Sequence, residues 1–284
     1  MIARSATTPV AECDLGSGLF LAVEPGTGGK IMERFQDRVV IVTGAGSGIG
    51  EATARRFASE GAHVVLAGRT RSKLNRVAAS LKRDCLVLPT DVRDFEAVKK
   101  LIAATVKHFG GIDVLVNNAG IAVTGNAAQS TLAKFEDVMG TNIGGVFHCS
   151  RAAIPHLIER RGAIVNTASV SGLSADWDLC FYNTSKGAIC NFTRSMALDF
   201  ASKGVRVNAV CPSLVYTPMT QDVRNSRTKQ KQFSERIALR RGAEPAEVAA
   251  VIAFLASDDA SFVNGVNLPV DGGLMASNGQ PAQG

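Results

Sequence analysis

The sequence predicts a doubly wound α/β fold, a single domain in which a seven-stranded parallel sheet carries helices on both faces. From about residue 38, short β-branched apolar runs alternate with longer stretches of helical period, the pattern of parallel strands joined by crossover helices. The runs are continuously apolar instead of alternating with polar residues, as burial on both sheet faces requires. No repeat, linker or composition break follows residue 38, so one domain, residues 32–284, holds the whole array.

In chain order, the first strand is RVVIVTG from Arg38, and it passes directly into a glycine-rich turn and a helical stretch, TGAGSGIGEATARRFASEG. AHVVLAG from Ala62 and CLVLPTD from Cys85 are the second and third strands. IDVLVNNAG from Ile112 is the fourth, punctuated by Asn, Ala and Gly. GAIVNTAS from Gly162 is the fifth and leads to the helical pattern YNTSKGAICNFTRSMALDF. VRVNAVCP from Val205 stops at proline, and VNLPVDGG from Val266 stops at two glycines. Residues 1–31 contain Gly and Pro without helical period and read as a poorly ordered extension.

Hydrophobic residues make up 46% of the chain and charged residues 20%, which supports a buried core and argues against disorder. The net charge of +6 is spread among acids with no long basic run, so nucleic-acid binding is not expected and a small phosphate-bearing molecule suits the excess. Six cysteines form no CxxC pair and four histidines form no HExxH, so no metal site is expected and the thiols read as reduced and cytoplasmic. No apolar run approaches membrane-spanning length, and GLFLAV near the start is too short for a signal-peptide core. A soluble protein with no membrane partner is the expectation.

The first turn places Gly44, Gly46, Gly48 and Gly50 between a strand and a helix. Glycine there allows a tight turn and close backbone approach, while the free N–H groups and positive end of the helix attract a pyrophosphate. The spacing is Thr-Gly-x-x-x-Gly-x-Gly, with Ile49 where G-x-G-x-x-G counted from Gly44 would have its last glycine. Downstream, Tyr182 and Lys186 lie four residues apart, on one face of a helix. A phenol can give and take a proton if its pKa falls toward the working pH, and a neighbouring ammonium is expected to lower it. Ser169, at the end of the fifth strand, can hydrogen-bond a substrate oxygen beside that phenol.

Thr43 to Gly50, NNAG at Asn117 to Gly120, Asn142 in GTNIGG, Ser169 and Tyr182-x-x-x-Lys186 together resemble, in order, the motif set of the short-chain dehydrogenase/reductase family. The similarity covers about residues 36–275. It implies a Rossmann-type domain, a homotetramer and hydride transfer between a nicotinamide and a carbonyl or secondary alcohol. By the same resemblance Asn142, on the helix between strands four and five, anchors a relay water, and Lys186 also holds the cofactor ribose. The cofactor is expected to meet Gly44, Gly46, Ser47, Gly48, Ile49 and Gly50 at the turn. Asp91 and Val92 would contact adenine, and Asn118, Ala119 and Gly120 would line the cleft, with Tyr182 and Lys186 beside them. Pro212, Val215 and Thr217 follow strand six, where the family's usual Pro-Gly reads Pro212-Ser213.

Dinucleotide-binding units that take NAD carry an acid near the end of strand two. Here no Asp or Glu occurs between Glu60 and Asp84, and the strand ends in Gly68 with Arg69 next. An arginine there can pair with a 2′-phosphate, so NADP is favoured, with NAD the alternative. NTASVSGL, Asp176-Trp177, VCPSLV, ERIALRR and VDGGLMASNGQP are similar to the 2,3-butanediol (acetoin-forming) dehydrogenases within the family. That implies a small vicinal diol or hydroxyketone as substrate, with Ser171, Trp177 and Tyr182 against it and Trp177 narrowing the pocket. The butanediol enzymes commonly use NAD, which pulls against Gly68-Arg69. A 3-oxoacyl-[acyl-carrier-protein] reductase is the enzymatic alternative, its acidic carrier met by Arg160, Arg161 and Lys203 or by Arg224, Arg227, Lys229 and Lys231 in a lid over about residues 213–240. An NADP-sensing binding protein without catalysis is the alternative of another class, and it would be signalled by loss of a motif residue; none is lost.

Overall fold

Seven parallel strands lie in the order β3-β2-β1-β4-β5-β6-β7, in a computed structural model that describes residues 33–280. The strands are β1 (Val39–Thr43), β2 (His63–Gly68), β3 (Cys85–Pro89), β4 (Val114–Asn117), β5 (Ala163–Thr167), β6 (Arg206–Pro212) and β7 (Asn267–Val270). Each sits inside an apolar run read from the sequence. The expectation for residues 1–31 lies outside the described residues.

Side chains alternate across a strand, and both faces of this sheet are dry. Val40, Val42, Val64, Leu66, Val114 and Val116 face one layer, where they pack with Ala54 and Phe57 of α1 (Gly48–Ser59), Leu74 and Val77 of α2 (Arg71–Ala78) and Val248 and Ile252 of a later helix. Val39, Ile41, Val65, Leu115, Ile164 and Val207 face the other, against Val98 and Leu101 of α3 (Phe95–Phe109) and the helices that follow. This is why the strands are unbroken Val/Ile/Leu runs.

The link from β4 to β5 departs from the single helix expected. It is α4 (Leu132–Met139), a π-helical turn (Gly140–Gly144) and α5 (Gly145–Arg160). Asn142 therefore sits in the widened turn, wholly buried, a kind of irregularity that recurs at functional sites. The remaining helices are α6 (Cys180–Ala201), α7 (Gln221–Arg224), α8 (Arg227–Arg236) and α9 (Pro245–Ala256). Helices α7 and α8 occupy the expected lid. Its base is closed by a bridge between Val215 and Ala243, where Tyr216 N donates to Ala243 O (2.9 Å) and Ala243 N to Leu214 O (2.9 Å).

Strand order reverses between β1 and β4: from β1 the chain builds outward to β2 and β3, then returns to β4 on its other side. A crevice opens at the carboxyl ends of strands at such a point, and ligands of this architecture bind there.

Candidate active site

Thr43, the last residue of β1, stitches the crevice together. Its Oγ1 accepts from Asn118 N (2.9 Å) and Ala119 N (3.0 Å), and Asn118 Nδ2 donates back to Thr43 O (3.0 Å). The glycine turn and the NNAG segment, distant in sequence, are thus one hydrogen-bonded unit. Gly44 has φ +65° and Gly48 φ +55°, in the left-handed region where a Cβ is costly. Gly50 is required for a different reason: a Cβ there would lie 2.3 Å from Gly44 O. Ser47 caps α1 with extended backbone and makes no side-chain bond to it, so the first helical turn keeps its unpaired amides.

Two hollows follow the crevice. The larger, about 260 Å³, is lined by Gly44, Ser47, Gly48 and Ile49 of the turn and by Asn118, Ala119 and Gly120 after β4. Ser169, Tyr182 and Lys186 form its floor, and Pro212, Val215 and Thr217 its far wall. The smaller, about 110 Å³, holds Gly68, Arg69, Asp91 and Val92, and shares Gly44, Ala119 and Gly120 with the first. Gly46 lies behind the turn, where a Cβ would stand 3.0 Å from Lys73 Cβ.

Ser169, just past the end of β5, and Tyr182, in the first turn of α6, are brought together in the lining of the larger hollow, where Ser169 Oγ donates to Pro212 O (3.3 Å). Lys186 Nζ lies 5.5 Å from the Tyr182 ring centroid and donates to Thr167 O (2.7 Å). Burial pulls the Lys186 ammonium down to about 8, against which the nearby Cys190 and Cys211 thiols push upward. Burial also pushes the Tyr182 phenol above its ordinary value, with the hydrogen bond from Ser169 lowering it and the Asp176 charge raising it further. Burial is the largest cause of that direction, and the Lys186 ammonium is hydrogen-bonded to Thr167 O. Asn142 touches neither group. Its Oδ1 accepts from Ile121 N (2.9 Å), while its Nδ2 donates to Ile121 O (3.0 Å) and Ser185 Oγ (2.9 Å), so its side chain braces the β4 loop against α6.

Ser171 and Trp177 do not line the larger hollow. Trp177 is 84% exposed and, within one chain, narrows nothing. Ser171 is buried, donates to Asp176 Oδ2 and lies 3.0 Å from Ser169 Oγ.

Residues 44–275 match the family model described as enoyl-(acyl carrier protein) reductase. The meso-2,3-butanediol dehydrogenase of Serratia marcescens is 53% identical over 253 residues, covering 87% of this chain and 98% of that protein. This chain belongs to the short-chain dehydrogenase/reductase family. The glucose 1-dehydrogenase of Gluconobacter oxydans is 39% identical over 85% of this chain and 93% of its own. A crystal structure of levodione reductase superposes with a TM-score of 0.81 at 37% identity, covering 86% of this chain and 99% of that one. The ligand-free aldohexose dehydrogenase of Thermoplasma acidophilum gives 0.81 at 35% identity, over 89% and 100%.

As a short-chain dehydrogenase/reductase it is an NAD(P)-dependent alcohol dehydrogenase or ketoreductase. The residues present fit such a dinucleotide: a bare glycine turn with unpaired amides, two joined hollows, and Thr167 Oγ1, a buried hydroxyl at the hollow with no partner. Sequence reasoning missed Thr167, though its place two residues before Ser169, at the strand's carboxyl end, could have pointed to it. It also missed Ser185 and the Asp176 carboxylate. Among the described residues no His, Cys, Asp or Glu cluster converges as a metal site, and no helix is long and apolar enough to cross a membrane.

Proposed function

We propose that this enzyme interconverts a ketone and a secondary alcohol, with Tyr182 as general acid and base and Ser169 holding the substrate oxygen. The observation that carries the reading is that Ser169, Tyr182 and Lys186 line the larger hollow together with the glycine turn. A bound nicotinamide supplies or accepts the hydride. The turn amides from Ser47 to Gly50 would hold its pyrophosphate and Lys186 its ribose. In the reductive direction, a carbonyl oxygen gaining charge takes the Tyr182 proton, and burial keeps that phenol protonated and ready to give it. Ser169 orients the same oxygen.

NADP is the cofactor we infer, because Arg69 lines the smaller hollow and Gly68 replaces the acid that a free ribose would need. The substrate we infer is a small vicinal diol or hydroxyketone such as 2,3-butanediol or acetoin, a reading supported by the name of the relative from Serratia marcescens. The acyl-carrier reading is weaker: Lys229 pairs with Asp222 and Lys231 with Glu235, so the lid's basic charge is partly spent on itself. We also read the chain as a homotetramer, since Leu132 of α4, Phe147 of α5 and Leu198 of α6 stand exposed as unpaired apolar surface.

Tyr182→Phe tests the mechanism. The ring stays packed and the proton is gone, so nicotinamide binding should survive while turnover falls by about 10²–10⁴. Near-normal turnover would sink the assignment. A panel of acetoin, diacetyl, 2,3-butanediol and acetoacetyl thioesters with each cofactor separates the two substrate readings.

A further inference from the structure

A third hollow, of about 300 Å³, lies beside the chain that leaves β6. Alternate side chains of that segment part between two cavities: Ser213, Val215 and Thr217 line the larger hollow of the nucleotide crevice, whereas Leu214 and Tyr216 line this one. Helix α8 forms the facing wall through Arg227, Gln230, Lys231 and Ser234. Residues at this spacing share one face of a helix. Arg240, Arg241 and Gly242 complete the lining. Four cationic side chains therefore meet here, and no carboxylate is among the described lining residues.

A helix lying on a protein ordinarily turns an apolar stripe inward. Helix α8 does the reverse: the face that lines the hollow is cationic and polar, and the helix buries no residue. Residues 221–241 carry seven cationic side chains against two carboxylates, the bulk of the chain's net charge of +6. Part of the charge at the hollow is satisfied. Arg241 donates to both oxygens of Glu247 (2.6 and 2.7 Å). Arg240, held at φ +59°, gives only its Nη1, to Ser234 O (3.4 Å) and Glu235 O (3.2 Å) in the last turn of α8. Lys231 comes no closer than 3.8 Å to Glu235, and both side chains are exposed, so that pair contributes little. Arg227 makes no hydrogen bond or ion pair to the protein among the described residues. Tyr216 Oη accepts from Gly242 N (3.0 Å), and its own proton is uncommitted. Arg227 and Lys231, four residues apart on one helix face, repel each other and face Arg240.

We propose that this hollow binds a phosphate group, free or carried by a small phosphorylated molecule, at a site separate from the nucleotide crevice. A phosphate offers several acceptor oxygens at once, and guanidinium forks suit its geometry. Arg227 and Lys231 would hold it from α8, and Arg240 and the Tyr216 hydroxyl from the opposite wall. The hollow's volume of about 300 Å³ stands at the small end of ligand pockets, about 300–1,000 Å³, so an ester of a few carbons fits beside the phosphate. The anion would neutralise the repulsion across the hollow and take the part that apolar packing plays under other helices. It would also steady the segment whose alternate side chains, Val215 and Thr217, line the larger hollow.

Calorimetric titration tests the site. The protein is saturated with NADP, and in a second series with NAD, so that the nucleotide crevice is filled before inorganic phosphate or glycerol 3-phosphate is added, with ionic strength held constant by sodium chloride. One anion should bind per chain. Tighter binding of the ester identifies a phosphorylated molecule as the occupant, and equal affinity identifies the free ion. Arg227→Gln should weaken binding about tenfold, the loss of one charge-assisted hydrogen bond, and Lys231→Gln should weaken it too. Neither should disturb the fold, because α8 buries no residue. Lys229→Gln removes the same charge from a position of α8 outside the hollow and should leave the affinity unchanged. Phosphate should also slow hydrogen exchange of the α8 amides, a readout independent of heat. Absence of saturable binding overturns the proposal, as does an equal loss in all three variants, which would mean diffuse attraction. Binding lost in Arg69→Ala and kept in Arg227→Gln would place the anion in the nucleotide crevice and overturn it as well.

Discussion

Cofactor choice is where the site yields a number. Arg69 lines the smaller hollow beside Gly68 and, among the described residues, its side chain makes no hydrogen bond or ion pair to the protein. A charge-assisted hydrogen bond contributes about 1.5–3 kcal/mol, and because Arg69 is exposed, solvent competition places it at the lower end. Arg69→Ala should therefore weaken NADP about tenfold and leave NAD nearly unchanged. Gly68→Asp adds the opposite preference. A Cβ at Gly68 would lie 3.4 Å from Leu74 Cδ2 and 4.0 Å from Gly44 Cα, both ordinary contacts. The carboxylate can then be placed without moving the backbone, where it would accept from a free 2′-hydroxyl and repel a 2′-phosphate. The double variant should prefer NAD. Steady-state kcat/KM for both nucleotides across wild type, the single variants and the double variant measures it. A wild-type enzyme that already prefers NAD, with a ratio Arg69→Ala leaves unmoved, would refute the reasoning and reduce Arg69 to a solvated side chain.

The buried ammonium sets a second expectation. With Lys186 pulled down to about 8 from 10.5, the unfolded chain binds more protons than the folded one between those values, so stability rises with pH across that window. Lys186→Met should abolish turnover yet raise stability at pH 6 by about 2 kcal/mol, after allowing for the lost bond to Thr167; denaturant melts at pH 6 and pH 10 should show the gain shrinking at the higher pH, and a loss at pH 6 would contradict it. Gly50→Ala drives a Cβ into Gly44 O, so the melting temperature should drop by about 2–10 °C with weakened nucleotide binding; an unchanged melt would mean the turn yields freely. Deleting residues 1–31 should leave melting temperature and turnover intact, since all seven strands and the full motif set lie beyond them; a large loss of either would assign that segment a part in the fold.

The strands were legible because a doubly covered sheet leaves an apolar imprint that needs no tertiary knowledge, and the glycine turn because steric demand at Gly44 and Gly48 is local. Spacing alone put Tyr182 and Lys186 on one face of α6. The sign of the phenol's shift was not legible, because it depends on how far β5 and α6 bury both groups together. The π-helical turn escaped for a related reason: GTNIGG continues a helical pattern, and the bonds that hold Asn142 in the widened turn run to Ile121 and Ser185, which are far off in sequence or on another element. Trp177 drew attention by its size and stands in solvent, while its neighbour Asp176, which reads as an ordinary loop charge, reaches inward to Ser171.

The bridge between Val215 and Ala243 has an evolutionary reach of its own. Because Leu214 to Tyr216 is tied to Gly242 and Ala243, by backbone bonds and by Gly242 N donating to Tyr216 Oη (3.0 Å), the segment between is a closed excursion whose ends stay put whatever it contains. Lengthening such a loop costs little, about 0.6 kcal/mol per doubling. None of Ser169, Tyr182 and Lys186 lies within it. Thr217 to Thr220 line the larger hollow and Ile237 is buried, but α8 (Arg227–Arg236) buries no residue, so insertions and exchange there can accumulate without disturbing the floor formed by Ser169, Tyr182 and Lys186.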